Sequence, residues 1–469
     1  MLTFENKLPP CPVSGFRTVE IAEGKTVKFK AENIRVPINW SDTAASTMFR
    51  IWARRLPGCE GIQHRYDERS GQLQKVDGYE SSAEEMVERV AGTIAFQGWQ
   101  RGYFDEQSSH RFATELTSLF LNQYGLLNTP AWINIGATPD PQASACFILD
   151  VQDSLVSLRY WQDTETKLFS AGSGSGADLS SLRPENWPLS GGGTASGPVS
   201  FARGTDAWAG VTKSGGKSRR AAKMLTLHIS HPDVRKFITA KRDAQRRAHA
   251  LIDAGWAGNW QADTWQHEPF QNANLSVRVD DAFMEATAND TTYDLKFGGA
   301  VVEVVQARDL WRELCECTWE SGDPGIQFDT TINKWHTVPG WGPIVSSNPC
   351  SEYLHPNNSA CNLASLNLCK FLKAGGTFDI DLFRHCVRLL IIAQDIVCDF
   401  AGYPTPEIAE NSRNYRPLGL GYCNLGAFLM RQGIAYDSED GRGLAASVTA
   451  LMGGEAQLAS RSEERRVGK

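Results

Sequence analysis

Apolar residues recur at three- and four-residue spacing over Ala44 to Leu56, over Ser82 to Trp99 and over Asp379 to Phe400. That spacing lines one face of a helix, so each stretch predicts a helix. The residues up to about Gln123 therefore read as mostly helical after a loose start. From Thr129 onward the pattern changes. Short apolar runs of β type appear at Ala145 to Leu149, Met224 to Ile229 and Ala300 to Val305, separated by helical stretches. Alternation of the two patterns favours an α/β architecture. Glycine-rich breaks interrupt it at Gly172 to Gly176, Gly191 to Gly197 and Gly215-Gly216.

A chain of 469 residues has room for two or three domains, or for one large α/β barrel with an appended helical region. A formal charge of -7 argues against a duplex-binding protein, so no nucleic-acid partner is expected. No apolar run approaches the roughly 20 residues that span a bilayer; Leu389 to Ala393 is far too short, and no membrane association is expected. The start, Met1-Leu2-Thr3-Phe4-Glu5, lacks the basic and apolar regions of a signal peptide. Eleven cysteines without a signal read as reduced thiols, which implies a cytoplasmic protein.

The candidate chemistry lies in Asn348-Pro-Cys350-Ser-Glu352 and the following Cys361-Asn-Leu-Ala-Ser365. An amide, a thiol and a carboxylate at alternating positions would project to one side of an extended loop. The amide and carboxylate can bind and deprotonate a hydroxyl while sulfur acts on the carbon that bears it. No histidine lies close in sequence to activate the thiol for hydrolysis. A weak S–H bond and a second cysteine suit hydrogen-atom exchange and reduction instead.

This loop resembles the active-site loop of ribonucleotide reductases. Seven further segments resemble the cobalamin-dependent class II enzymes in the family's order: Gln142-Ala-Ser-Ala-Cys146-Phe, Gly172-Ser-Gly-Ser-Gly-Ala-Asp-Leu179, Gly197-Pro-Val-Ser-Phe201, Lys213 to Met224, Gln271-Asn-Ala-Asn274, Asp329-Thr-Thr-Ile-Asn333 and Arg416-Pro-Leu-Gly-Leu-Gly-Tyr422. The resemblance implies a ten-stranded α/β barrel over residues 125–460, preceded by a helical region over 1–124, with the barrel's last strands missing. It implies adenosylcobalamin as cofactor, a thiyl radical on Cys350, proton transfer by Glu352, substrate hydroxyl binding by Asn348, and Cys146 and Cys361 as the redox pair. It further implies a ribonucleoside diphosphate substrate, a thioredoxin-like reductant and a homodimer at full length. Thr129 and Asn274 fall where substrate phosphates would be met. Asp153, Ser154, Leu155 and Arg183 fall at the family's site for a deoxynucleoside triphosphate effector. Lys217, Arg219 and Arg220, with Lys223, fall on the loop that carries the effector's identity to the active site.

Other readings compete. The large subunit of a class I reductase would share the pentad and the cysteine pair, and a piece that binds nucleotide without turnover is a third reading. Gly210 to Ser218 misses the spacing of a P-loop by one residue, and Gly172 to Gly176 misses a dinucleotide fingerprint, which leaves a tight turn as its role. No metal site is expected. Cys315 and Cys317 sit two apart on a predicted helix, and the eight cysteines outside the motifs are expected as small buried residues. Residues 461–469 resemble the translation of a sequencing adapter, so the natural chain is expected to continue past Ser460, and the piece itself to be inactive and poorly soluble.

Overall fold

The N-terminal stretch is helical only in part. In the computed structural model, which describes residues 7–67, 70–212, 221–259 and 262–467, four antiparallel strands come first. They are β1 (Ser14–Glu23), β2 (Thr26–Pro37), β3 (Gly61–Asp67) and β4 (Gln72–Tyr79), paired in that order. Their pattern is faint in the sequence because β4 buries no residue, and in β2 the buried Phe29 and Ala31 are set apart from Ile34 and Val36 by the exposed Glu32 and Asn33, which shifts the alternation. The apolar spacing over Ala44 to Leu56 yields a short helix, Asp42–Thr47, that widens into a π turn at Met48–Trp52. The spacing over Ser82 to Trp99 does form a full helix, Ala83–Gln100. Ser82 accepts from the Glu85 amide while Glu85 accepts from the Ser82 amide, a reciprocal cap that fixes where the helix starts. Helix Glu106–Leu121 and strand β5 (Gly125–Leu127) follow.

The chain divides into two compact units. The first comprises Met1–Ala145, Asn362–Tyr403 and Arg413–Lys469; the second comprises Cys146–Cys361 and Pro404–Ser412. The core of the first unit gathers Ile94, Phe112, Phe120, Trp132, Leu366, Leu390 and Ile396, all fully buried. Leu390 and Ile396 come from helix Ile380–Phe400, which the apolar spacing predicts to within a residue.

The second unit is built on β6 (Cys146–Leu149), β7 (Gly174–Asp178), β8 (Lys223–His228) and β9 (Ala273–Val279), parallel neighbours in that order. Helices Leu155–Ser170, Pro198–Val211 and Val234–Asp253 cross between successive strands. Parallel strands covered by crossover helices are buried on both faces, and β6 and β7 accordingly bury almost every residue. The apolar run at Ala300 to Val305 lies elsewhere: β10 (Thr292–Phe297) and β11 (Ala300–Gln306) form a separate hairpin with Val301, Val302 and Val304 exposed. Helix Ala307–Ser321 then leads to β12 (Gly325–Phe328), which pairs parallel to β9. Strand β13 (Ser359–Asn367) pairs antiparallel to β6 through residues 359–361. Its residues 362–367 belong to the first unit, where they pair parallel with β14 (Leu418–Cys423) and in part antiparallel with β5. The final helix runs over Glu439–Val467.

The cysteines depart from expectation. Cys317, Cys386 and Cys398 are buried, but Cys11, Cys315 and Cys423 are exposed and Cys59 and Cys369 half-buried. Helix Ala307–Ser321 explains the split between Cys315 and Cys317, since neighbours two apart on a helix point in different directions.

Candidate active site

Strand β6 opens with Cys146, and β13 brings Cys361 directly opposite it; both are buried. Opposed residues of an antiparallel pair have Cα atoms roughly 4.5–5.5 Å apart. That lies inside the roughly 7 Å limit for a disulfide.

The loop carrying Cys350 lies in the same unit. Ser347 and Leu354 form a bridge that closes it, and within it the Asn348 amide donates to the Tyr353 carbonyl at 3.1 Å. The Tyr353 amide donates back to Asn348 Oδ1 at 3.0 Å, and the Ser351 amide to the Asn348 carbonyl at 3.1 Å. The segment is thus a tight turn, not the extended loop that alternation suggested. Ser351 takes a φ of 67°, in the left-handed region. The turn buries Asn348 and leaves Cys350 and Glu352 exposed.

The pentad still converges, through Cys146. Asn348 Nδ2 donates to Cys146 Sγ at 3.1 Å, and the Cys146 thiol reaches Glu352 Oε1 at 3.8 Å. Burial, reinforced by the Glu352 carboxylate, pushes the Cys146 thiol up to about 12, against the hydrogen bond from Asn348. Cys146 is therefore held as a neutral thiol, able to give up hydrogen but slow to ionise.

The glycines of the Gly172 segment act here. Gly172 has a positive φ, as a tight turn requires, but Gly174 and Gly176 lie in β7 and serve by lacking side chains. A Cβ on Gly176 would stand 1.6 Å from the Ser347 carbonyl oxygen, and one on Gly174 would stand 2.7 Å from Pro349 Cγ. The Cys350 loop thus packs directly on the backbone of β7. From β9, Asn274 Nδ2 donates to the Pro349 carbonyl at 2.8 Å, which ties this predicted substrate residue to the loop. Thr129 belongs to the first unit, at the opening of helix Thr129–Asn134.

Of the residues read as effector-binding, Asp153 and Arg183 meet in an ion pair at 2.6 Å, each about one-third exposed. Ser154 caps helix Leu155–Ser170 by accepting from the Ser157 amide, and Leu155 is 75% exposed beside it. Lys217, Arg219 and Arg220 lie outside the described residues. Lys223 is not part of a solvated basic face: it is fully buried, with Nζ 2.6 Å from Glu165 and 4.5 Å from the Trp161 ring. Glu165 also accepts from Ser175 Oγ of β7 at 2.7 Å.

Sequence reasoning missed two groups, the half-buried Asp178 of β7 and the buried Gln327 of β12. Asp178 accepts from Ser180 Oγ at 2.8 Å and Thr226 Oγ at 3.0 Å, and burial pushes its carboxyl up to about 6 against these bonds. Gln327, on β12, touches the loop through two serines. A glutamine in a buried strand is the one signal that could have marked it, because a buried amide must find partners.

A family model described as the ribonucleotide reductase barrel domain matches residues 144–463, and one described as class II vitamin B12-dependent ribonucleotide reductase matches residues 16–123. Among similar proteins, the vitamin B12-dependent ribonucleotide reductase of Rhodopirellula baltica is 41% identical, over 98% of this chain and 47% of its own length. That of Streptomyces coelicolor is 43% identical, over 92% of this chain and 43% of its own. The vitamin B12-dependent ribonucleoside-diphosphate reductase of Mycobacterium tuberculosis is 36% identical, over 82% of this chain and 52% of its own length. The chain spans about half the length of the curated relatives it matches. The matches, together with the α/β barrel fold they carry, mean that the chain belongs to the class II, vitamin B12-dependent ribonucleotide reductases.

Proposed function

We propose that this chain carries the thiyl-radical centre of a ribonucleoside-diphosphate reductase. The observation that carries the reading is the convergence of Asn348 and Glu352 on Cys146, which in turn faces Cys361 across paired strands.

Cobalamin, adenosylcobalamin in this class, is the cofactor the family brings, and when bound it supplies a radical able to take a hydrogen atom. The residues present fit such a group at one point. Cys350 is exposed at the turn, so a bulky cofactor could meet its sulfur while Asn348 and Cys146 stay covered. Cys350, as a thiyl, takes the 3′ hydrogen of the ribose. Glu352 accepts the 3′ hydroxyl proton, and Asn348 holds the substrate hydroxyls. The 2′ hydroxyl departs as water. Cys146 and Cys361 together give two electrons and two protons and are left joined as a disulfide, Glu352 returns its proton to the 3′ oxygen, and Cys350 returns its hydrogen atom to C3′ and is a thiyl again. A thioredoxin-like dithiol then restores the pair.

Thr129 and Asn274 are assigned to the substrate side, and Asp153, Ser154, Leu155 and Arg183 to a deoxynucleoside triphosphate effector. Lys217, Arg219 and Arg220 complete that assignment, in a cytoplasmic homodimer. The Asp153–Arg183 pair supports it, since a guanidinium held by one carboxylate stands ready for a phosphate. Arg183→Ala should weaken effector binding at least tenfold; unchanged affinity would remove Arg183 from the site.

The test is anaerobic turnover of cytidine diphosphate, with adenosylcobalamin and a dithiol, by the natural enzyme that contains this chain. Cys350→Ser should abolish deoxycytidine diphosphate formation. Continued turnover by that variant would sink the radical reading.

A further inference from the structure

Ser351 separates Cys350 from Glu352, and its left-handed backbone is one that serine does not choose unaided. A non-glycine residue held there costs on the order of 1 kcal/mol. Beside the bond from the Ser351 amide to the Asn348 carbonyl, the Ser351 side chain is held by Gln327. Gln327 is 4% exposed, and its Nε2 amide donates to Ser351 Oγ at 2.9 Å and to Ser347 Oγ at 2.8 Å. One amide thus ties the start of the loop to its tip. Ser347 Oγ passes the contact on by donating to the Asn348 carbonyl at 2.9 Å.

Gln327 is itself held from behind. Its Oε1 accepts from Arg278 Nη1 at 3.2 Å, and Arg278 is fixed by Asp329 Oδ1 and by the Ile344 carbonyl at 2.6 Å. Arg278 is 1% exposed, so the guanidinium has no room to swing away. The amide is neutral and cannot titrate, so it constrains the loop without adding charge beside Glu352.

We propose that Gln327 is a positioning residue for the reductase chemistry: it locks the Ser351 turn and so sets the aim of Cys350 and Glu352 toward one substrate. The proposal rests on the function argued above. Rotation at Ser351 would carry the two flanking side chains apart. A displacement of about 1 Å at a reacting group can lower a rate on the order of a hundredfold.

The test compares wild type with Gln327→Met, which keeps side-chain length and removes the donors. In the natural enzyme kcat should fall about 10- to 100-fold while KM stays within about twofold, since Gln327 is buried behind the loop. In the same enzyme, hydrogen exchange of the backbone amides at 350–353 should quicken about tenfold, with the melting midpoint nearly unchanged. Should Gln327→Met fail to fold, Ser351→Ala removes the hydroxyl alone and should show both effects. Exchange and kcat both within about twofold of wild type would overturn the proposal, as would faster exchange with unchanged kcat. Were the wild-type enzyme to show no turnover, the reductase reading would fall and this proposal with it.

Discussion

Gly176 and Ser347 make a backbone-on-backbone contact: the Ser347 carbonyl oxygen occupies the place of a Gly176 Cβ, 1.6 Å from where that atom would be. No rotamer change can relieve a clash with a carbonyl. Gly176→Ala should therefore displace the Cys350 loop or destabilise the fold, by about 1–3 kcal/mol or more. Urea denaturation measures the second effect, and the alkylation rate of Cys350 the first. A variant indistinguishable from wild type in both would mean that the loop does not pack on β7 in solution.

Thiol labelling should separate the three motif cysteines. Exposed Cys350 should react with iodoacetamide well before buried Cys146 and Cys361. The Cys146 thiol is pushed up to about 12 from an ordinary 9.0, so its labelling rate should keep rising through pH 10 and not level off near pH 9. The folded-state value is the raised one. The stability it represents is present below pH 9 and is lost as pH rises toward 12. Peptide mapping by mass spectrometry at a series of pH values gives the comparison.

Lys223 and Glu165 form a buried pair that neither partner can leave alone. Lys223→Met should cost about 3–5 kcal/mol, because the buried Glu165 carboxyl is then left without its cation partner. The double change Lys223→Met with Glu165→Leu should recover much of that loss. Thermal unfolding of the two variants decides it; equal destabilisation would mean that the buried charge is not the cause.

Asp178 predicts an acid-side gain in stability. Its carboxyl is raised from 3.8 to about 6, so the folded state favours the proton. The linked stability is fully present below about pH 4 and is lost as pH rises through 6. Asp178→Asn removes that dependence and should flatten the change between pH 5 and pH 8 by on the order of 1–3 kcal/mol. Denaturation at the two pH values tests it, and an unaltered slope would clear Asp178 of the effect.

Helices with a clean apolar stripe, such as Ala83–Gln100 and Ile380–Phe400, were legible in the sequence because burial of one face leaves a period. The sheet β1–β4 was not, since β4 buries nothing and leaves no period. The candidate site was legible where its residues lie close together, from Asn348 to Cys361. Gln327 and Asn274 were hidden as loop anchors because their meaning comes from tertiary contacts with Ser351 and Pro349. The glycines of β7 were visible, but an absent side chain does not reveal which neighbour needs the space.

Cys146 is the shared acceptor and donor for both Asn348 and Glu352. A sulfur drawn into a bond with Cys361 has no hydrogen left to give Glu352, though it can still accept from Asn348. If Cys146 and Cys361 are the redox pair proposed above, the tethers of the loop to Cys146 would differ between the thiol and the disulfide state.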